Sequence, residues 1–133
     1  MFTAFAATTT STLWNGCGNP VSLALIGTLS LGNASFAFRT TTTDPQAGLA
    51  IFGFGFGGTP LQCGTCTFVD PVALVFVGLS AGAATHALPV PCNTGLIGIA
   101  LDAETAVLGA TTNQCPLLPM ASLSPALRCT FGE

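Results

Sequence analysis

The sequence predicts an all-β protein, an antiparallel β-sandwich or jelly-roll-like domain stapled by disulfides. Three observations predict it. Short apolar stretches alternating with period two recur between turns rich in Gly, Pro, Asn and Thr. Six cysteines lie in 133 residues without zinc-finger spacing, an even count that reads as a disulfide framework. Helix signals are scarce, and only Asp102 to Leu108 offers one or two short turns.

Taken in order, residues 1–14 read as an extended N-terminal arm. The run Thr8-Thr9-Thr10-Ser11-Thr12 disfavours helix through β-branching and local hydrogen bonding. No cysteine precedes Cys17, so no bridge ties the arm down. Residues 15–133 then read as one β-sandwich domain, a size typical of a single domain. Asn15-Gly16-Cys17-Gly18-Asn19-Pro20 is a turn cluster. Val21 to Leu31 alternates, and Ala34 to Thr40 puts Phe36 and Phe38 on one face. Thr40 to Gln46 forms a turn at Asp44-Pro45. Gly48 to Phe56 sets Phe52, Phe54 and Phe56 against Gly53, Gly55 and Gly57, a pattern that lets another backbone approach the glycine face. Cys66 to Val69, Ala73 to Leu79, Thr85 to Val90, Leu96 to Leu101, Thr105 to Leu108 and Ala126 to Phe131 complete the expected strands.

Charged residues are only 5% of the chain, against roughly 25% in ordinary soluble domains. There is no lysine, and the net charge of −3 comes from scarce bases. Arg39 and Arg128 cannot build a phosphate-neutralising patch, which argues against nucleic acid as a partner. So charge-poor a surface is expected to be buried against copies of itself or covered by glycan. The mean hydropathy of +0.71 raises the question of a membrane. Residues 71–101 carry no charge, but Pro89, Pro91, four glycines, His86 and Asn93 make a poor spanning helix, so no transmembrane segment is expected. No signal peptide is visible at Met1, and oxidised cysteines imply export, so a mature or partial chain located outside the cell or on its surface is expected.

Several short motifs recur in a known setting. These are Gly16-Cys17-Gly18, Leu31-Gly32-Asn33 before a Phe-containing strand, Leu88-Pro89-Val90-Pro91 before Gly95-Leu96-Ile97-Gly98, and the closing Ser122-Leu123-Ser124-Pro125-Ala126-Leu127-Arg128-Cys129-Thr130-Phe131-Gly132. Over about nine-tenths of its length the chain resembles a C-terminal module of secreted proteins of planctomycetes and similar environmental bacteria. It departs from that pattern in its extra cysteines and in lacking a glutamine near Glu104. With its arm it is also similar to subunits of extracellular bacterial fibrils. The resemblance implies an extracellular β-sandwich without a known catalytic role.

Candidate sites follow from residue types. Cys63-Gly64-Thr65-Cys66 has redox spacing but lacks the helix such a motif needs, so structural disulfides are expected. Cys17 is expected to pair with Cys63 or Cys66, and Cys115 with Cys129, leaving Cys92 for the remainder. His86, the sole histidine, has no nucleophile elbow near Ser80 or Ser122 to serve, and reads as a strand-edge residue without catalytic role. Asp102 and Glu104 share a face if extended, and read as a solvated strand face; two carboxylates fall short of a calcium site. Neither catalytic residues, a metal nor a cofactor are assigned. Asn33-Ala34-Ser35 is a glycosylation sequon, and Thr8, Thr9, Thr10, Thr40, Thr41, Thr42 and Thr43 are candidate O-glycan sites. In the arm, Phe2, Phe5, Leu13 and Trp14 are candidate anchors for adding a strand to a neighbour's sheet. The expectation is a non-enzymatic structural subunit of an extracellular, pilus-like fibre whose partner is itself, with covalent glycans as a second partner. A secreted carbohydrate-binding or adhesion module is the alternative.

Overall fold

Alternating apolar side chains close two antiparallel sheets over one core. The computed structural model describes residues 7–133. Its strands are β1 (Thr9–Trp14), β2 (Val21–Ile26), β3 (Ala37–Thr42), β4 (Leu49–Gly55), β5 (Leu61–Cys63), β6 (Cys66–Phe68), β7 (Ala73–Gly78), β8 (Ala83–Ala87), β9 (Ala100–Leu108), β10 (Ala121–Leu123) and β11 (Ala126–Thr130). A single 3-10 turn spans Thr94–Leu96. The large sheet runs β1-β11-β9-β4-β7, with β10 also on β9; the small sheet runs β2-β3-β8, and β5-β6 is a separate hairpin. The fold is thus all-β and sandwich-like, as the alternation predicts.

The core lies between the inner faces. Val21 from β2 and Phe38 from β3 meet Ala50, Phe52 and Phe54 from β4, Leu101, Ala103 and Val107 from β9, and Cys129 from β11. Phe36 and Phe38 pack edge to face, with ring centroids 5.1 Å apart. The Phe/Gly alternation holds within β4 but not beyond it: Phe56, expected on the same face, lies past the end of the strand and is 60% exposed. Phe52 and Phe54 fill the core, while a Cβ on Gly55 would come within 2.4 Å of the Asp70 carbonyl oxygen, so the segment before β7 can lie directly on the outer face.

Several elements differ from expectation: β5 and β10 are not among the expected strands, and residues 40–42, expected in a turn, end β3. Residues Thr9–Trp14 are not a free arm: they form the edge strand β1, antiparallel to β11, with Thr9 facing Thr130 and Thr12 facing Leu127. The Thr run that disfavours helix also fits a pleated edge, and the backbone of β11 supplies its partners. The short helical alternative at Asp102 to Leu108 is replaced by β9. Here Leu101, Ala103 and Val107 point to the core, and β4 and β11 pair along both sides. The expected strand Leu96 to Leu101 starts instead as the 3-10 turn, where the Asn93 side chain accepts the Gly95 amide at 3.0 Å.

The hairpin β5-β6 lies over the outer face of the large sheet and is held at its turn end by two bridges. Cys17 bonds Cys66, and Cys63 bonds Cys115. The first pairing is one of the two expected for Cys17. The expected Cys115–Cys129 bridge is not formed, because the sheet itself separates the two. Cys129 is buried among the inner-face residues, whereas Cys115 packs with Cys66 and Leu123 on the other side. Cys92 and Cys129 are therefore free thiols, Cys92 exposed and Cys129 buried. Burial pushes the Cys129 thiol up to about 11, away from the reactive thiolate. Alkylation of the native protein is thus expected to label Cys92 alone, with Cys129 reacting only after denaturation; mass spectrometry that found both labelled without denaturant would contradict this placement.

Candidate functional site: two sheet edges and a buried carboxylate

The large sheet ends in two unlike edges. Among the described residues, β1 at one end pairs only with β11, and β7 at the other pairs only with β4. Natural edge strands are usually blunted by charge, proline or a bulge. Within β7, Ala-Leu-Val-Phe-Val-Gly, there is neither charge nor proline. Its inward residues Val75 and Val77 pack on the core, and its outward residues Leu74 and Phe76 are 53% and 62% exposed. Val72, just before the strand, is also exposed. An apolar, unprotected edge of this kind is a template for another strand.

The β1 edge is irregular where it matters most. The register slips between Thr12 and Trp14, so Leu13 is an extra residue and Trp14 faces Ala126. Such a bulge re-aims a side chain. Here the indole reaches over the sheet, and Trp14 Nε1 donates to Glu104 Oε2 at 3.0 Å. The other oxygen, Oε1, accepts the Val69 amide at 2.9 Å. Glu104 faces Gly53 across β4. The small residue opposite it, Gly53, leaves space over the carboxylate.

That space is a cavity of about 220 Å³ between the outer face and the stapled hairpin. Ile51, Leu61, Phe68, Leu74 and Leu118 form much of its wall, and among the described residues Glu104 is the only ionisable one lining it. Burial raises the Glu104 pKa from 4.5 to about 7, against the opposing effect of its two hydrogen bonds. Two residues along β9, Asp102 is in a different situation. Arg128 faces it across β11 and grips it with both arms, Nε to Oδ1 at 2.8 Å and Nη2 to Oδ2 at 3.0 Å. The expected solvated strand face is therefore a buried one, since Asp102 and Glu104 are 4% and 5% exposed. They share a face but have separate partners.

No protein-family model matches the chain, and no curated protein or solved structure is similar to it.

The remaining sequence-predicted residues are placed as follows. Cys63 and Cys66 face each other in the hairpin, yet each bonds a distant cysteine, so the C-x-x-C is two halves of two structural bridges. His86 lies on β8, an edge strand, with its ring against Phe52 and Phe54 at 6.0 and 5.6 Å. Among the described residues it makes no side-chain hydrogen bond to a serine or carboxylate. Thr40 is withdrawn as a glycan site: it is fully buried, and its hydroxyl donates to the Ser22 carbonyl at 2.7 Å. Thr9, Thr10, Thr41 and Thr43 are exposed, and Thr8 and Thr42 are half-buried. The Asn33 amide is engaged in a turn, donating to the Thr28 carbonyl at 2.8 Å and accepting the Ser35 amide at 3.0 Å. Leu13 and Trp14 are half-buried in the chain's own sheet, and Phe2 and Phe5 lie outside the described residues. No described helix is long and apolar enough to cross a membrane. The sequence reading missed the β7 edge and the burial of Glu104. For β7 a signal existed in the uncharged stretch after Pro71. For Glu104 the signal was its register with Gly53, which a single strand does not show.

Proposed function

We propose that the protein is a structural subunit of an extracellular fibre, assembled by β-strand pairing between copies. The observation that carries this reading is the apolar, unprotected β7 edge at one end of a sheet whose other end is the unlike, bulged edge β1. A β7 edge that takes the β1 edge of the next copy makes a heterologous contact. Repeated, such a contact does not need to close and generates a filament. The outward apolar residues Val72, Leu74 and Phe76 lose their exposure at that junction. The low charge of the chain removes the like-charge repulsion that keeps ordinary edges apart. Two disulfides suit an oxidising, extracellular setting. Covalent glycan at the exposed Thr41 and Thr43 would cover part of the remaining surface.

Relative to the sequence expectation, the strand-donating arm becomes an edge. Thr9–Trp14 already has a seat on β11, so what it offers a neighbour is its second side. The sugar-binding alternative gains little from the cavity, whose walls are apolar and offer few hydrogen-bonding groups.

Electron microscopy of the unreduced protein at moderate salt tests the proposal. Uniform filaments are expected from the unmodified chain. The double variant Val72→Lys, Phe76→Lys alters two exposed side chains and is expected to give folded single subunits with an unchanged circular dichroism spectrum. Small monodisperse particles from the unmodified protein, or filaments persisting in the variant, would overturn it.

A further inference from the structure

The cavity over Glu104 is unexplained by assembly. Its walls are apolar, yet its one polar lining group is a carboxylate that has no counter-ion among the described residues. A carboxylate has about four acceptor positions. Trp14 and Val69 fill one on each oxygen, and both are neutral donors. The other charged groups of this face do not help. Arg128 is committed to Asp102, and Asp70, next to Val69, is exposed and of like sign. A buried charge without a cation is costly, and a cation brought from outside would offset that cost.

The space is also kept open by a residue the backbone does not require to be glycine. Gly53 lies directly opposite Glu104. A Cβ there would meet Leu74 Cδ2 at 3.5 Å and the Glu104 carbonyl at 3.7 Å, ordinary contacts. A larger side chain at this position would extend into the cavity. The volume of about 220 Å³ exceeds the roughly 150 Å³ that suffices for a benzene ring, leaving room for a ring and a short tether.

We propose that this cavity binds small primary amines with an apolar tail, the tail held among Ile51, Leu61, Phe68 and Leu118 and the ammonium hydrogen-bonded to Glu104. The apolar wall supplies affinity, and the carboxylate supplies orientation and charge selection. A carboxylic acid of the same shape is rejected by Glu104 itself. Binding is reported from within, because Trp14 is the only tryptophan and its indole donates to the same carboxylate.

The experiment titrates 2-phenylethylamine into the full chain, following Trp14 fluorescence and calorimetry, with 2-phenylethanol and 3-phenylpropionate as matched probes. The amine is expected to saturate, to bind roughly tenfold or more tighter than the alcohol, and to exceed the acid by a wider margin. Glu104→Gln is expected to erase the preference for amine over alcohol while leaving alcohol binding within about twofold. Gly53→Leu, which leaves Glu104 in place, is expected to block both probes with the fold intact by circular dichroism. Amine affinity is expected to rise with pH up to about 7 and then level, as Glu104 ionises. Equal affinity for amine and alcohol, no saturable amine binding up to on the order of 10 mM, or unchanged binding in Gly53→Leu would each overturn the proposal. The fibre reading is tested by microscopy alone, so the two stand or fall separately.

Discussion

Replacing Cys63 and Cys115 together by serine is expected to lower the free energy of unfolding by about 4 kcal/mol, the chain-entropy value for a loop of this length. The bridge closes a separation of 52 residues. It also has a local task that loop entropy does not describe. β5 and β6 are three residues each and pair only with one another. A hairpin that small is marginal in water. It stays over the outer face because Cys63 is tied to Cys115 and Cys66 to Cys17. Without the first bridge, Leu61 and Phe68 no longer cap the cavity and Glu104 becomes accessible to solvent. Urea titration of the oxidised protein and the double variant measures the change. The control is Cys129→Ala, which breaks no bridge and removes only a small core group, so it should cost far less than Cys115→Ala. Equal costs for the two would mean that Cys115 and Cys129 are in fact partners.

The second large effect is an inverted dependence of stability on pH. Glu104 holds its proton up to about 7 in the folded protein, against 4.5 in an unperturbed carboxyl. Between those values folding takes up a proton, so the stabilising contribution is complete below 4.5 and is lost as pH rises to 7. The total is about 3 kcal/mol, from roughly 1.4 kcal/mol per unit. Asp44 acts with the opposite sign in a more acidic window. Its carboxylate accepts the Ala110 and Gln46 amides at 2.8 and 2.9 Å, which holds its pKa below 3.8, so its contribution is lost only as pH falls further. Stability is therefore expected to peak near pH 4 to 5 and decline toward neutrality, which urea midpoints across that range would show. Glu104→Gln should flatten the decline. A protein that is most stable at pH 8, or a Gln variant with the same slope, would mean that Glu104 is ionised and well solvated.

Much of the sandwich is legible residue by residue, because a half-buried strand records its own two faces. Phe36 and Phe38, the Phe/Gly ladder of β4 and the alternation of β2 all point where period two sends them. What lies between strands is less readable. The three-residue strands β5 and β10 are too short to display a period. β1 is written in threonines that fit either an arm or an edge, and only its partner β11 decides. The cysteine pairing failed at Cys129 because parity within β11 puts that thiol on the inner face, and parity can be used only once the strand's neighbours are known. Asp102 and Glu104 share a face as their spacing predicts, but the burial of Glu104 depends on a hairpin from a distant part of the chain and that of Asp102 on Arg128 from β11, arrangements with no local signature.

The seat of β1 on β11 carries a further consequence, one of timing. Thr9 finds its partner at Thr130, near the opposite end of the chain. Contacts of such separation form late, since the entropy of closing the intervening loop must be met first. During folding β1 therefore waits while β9, β10 and β11, neighbours in sequence, come together. For that interval the flank of β11 is vacant. A strand from another molecule fits it as well as the molecule's own, because the side chains and register are identical. Which one arrives first depends on how crowded the subunits are. Exchange of β1 is thus a concentration-dependent kinetic outcome built into the order in which the strands are written.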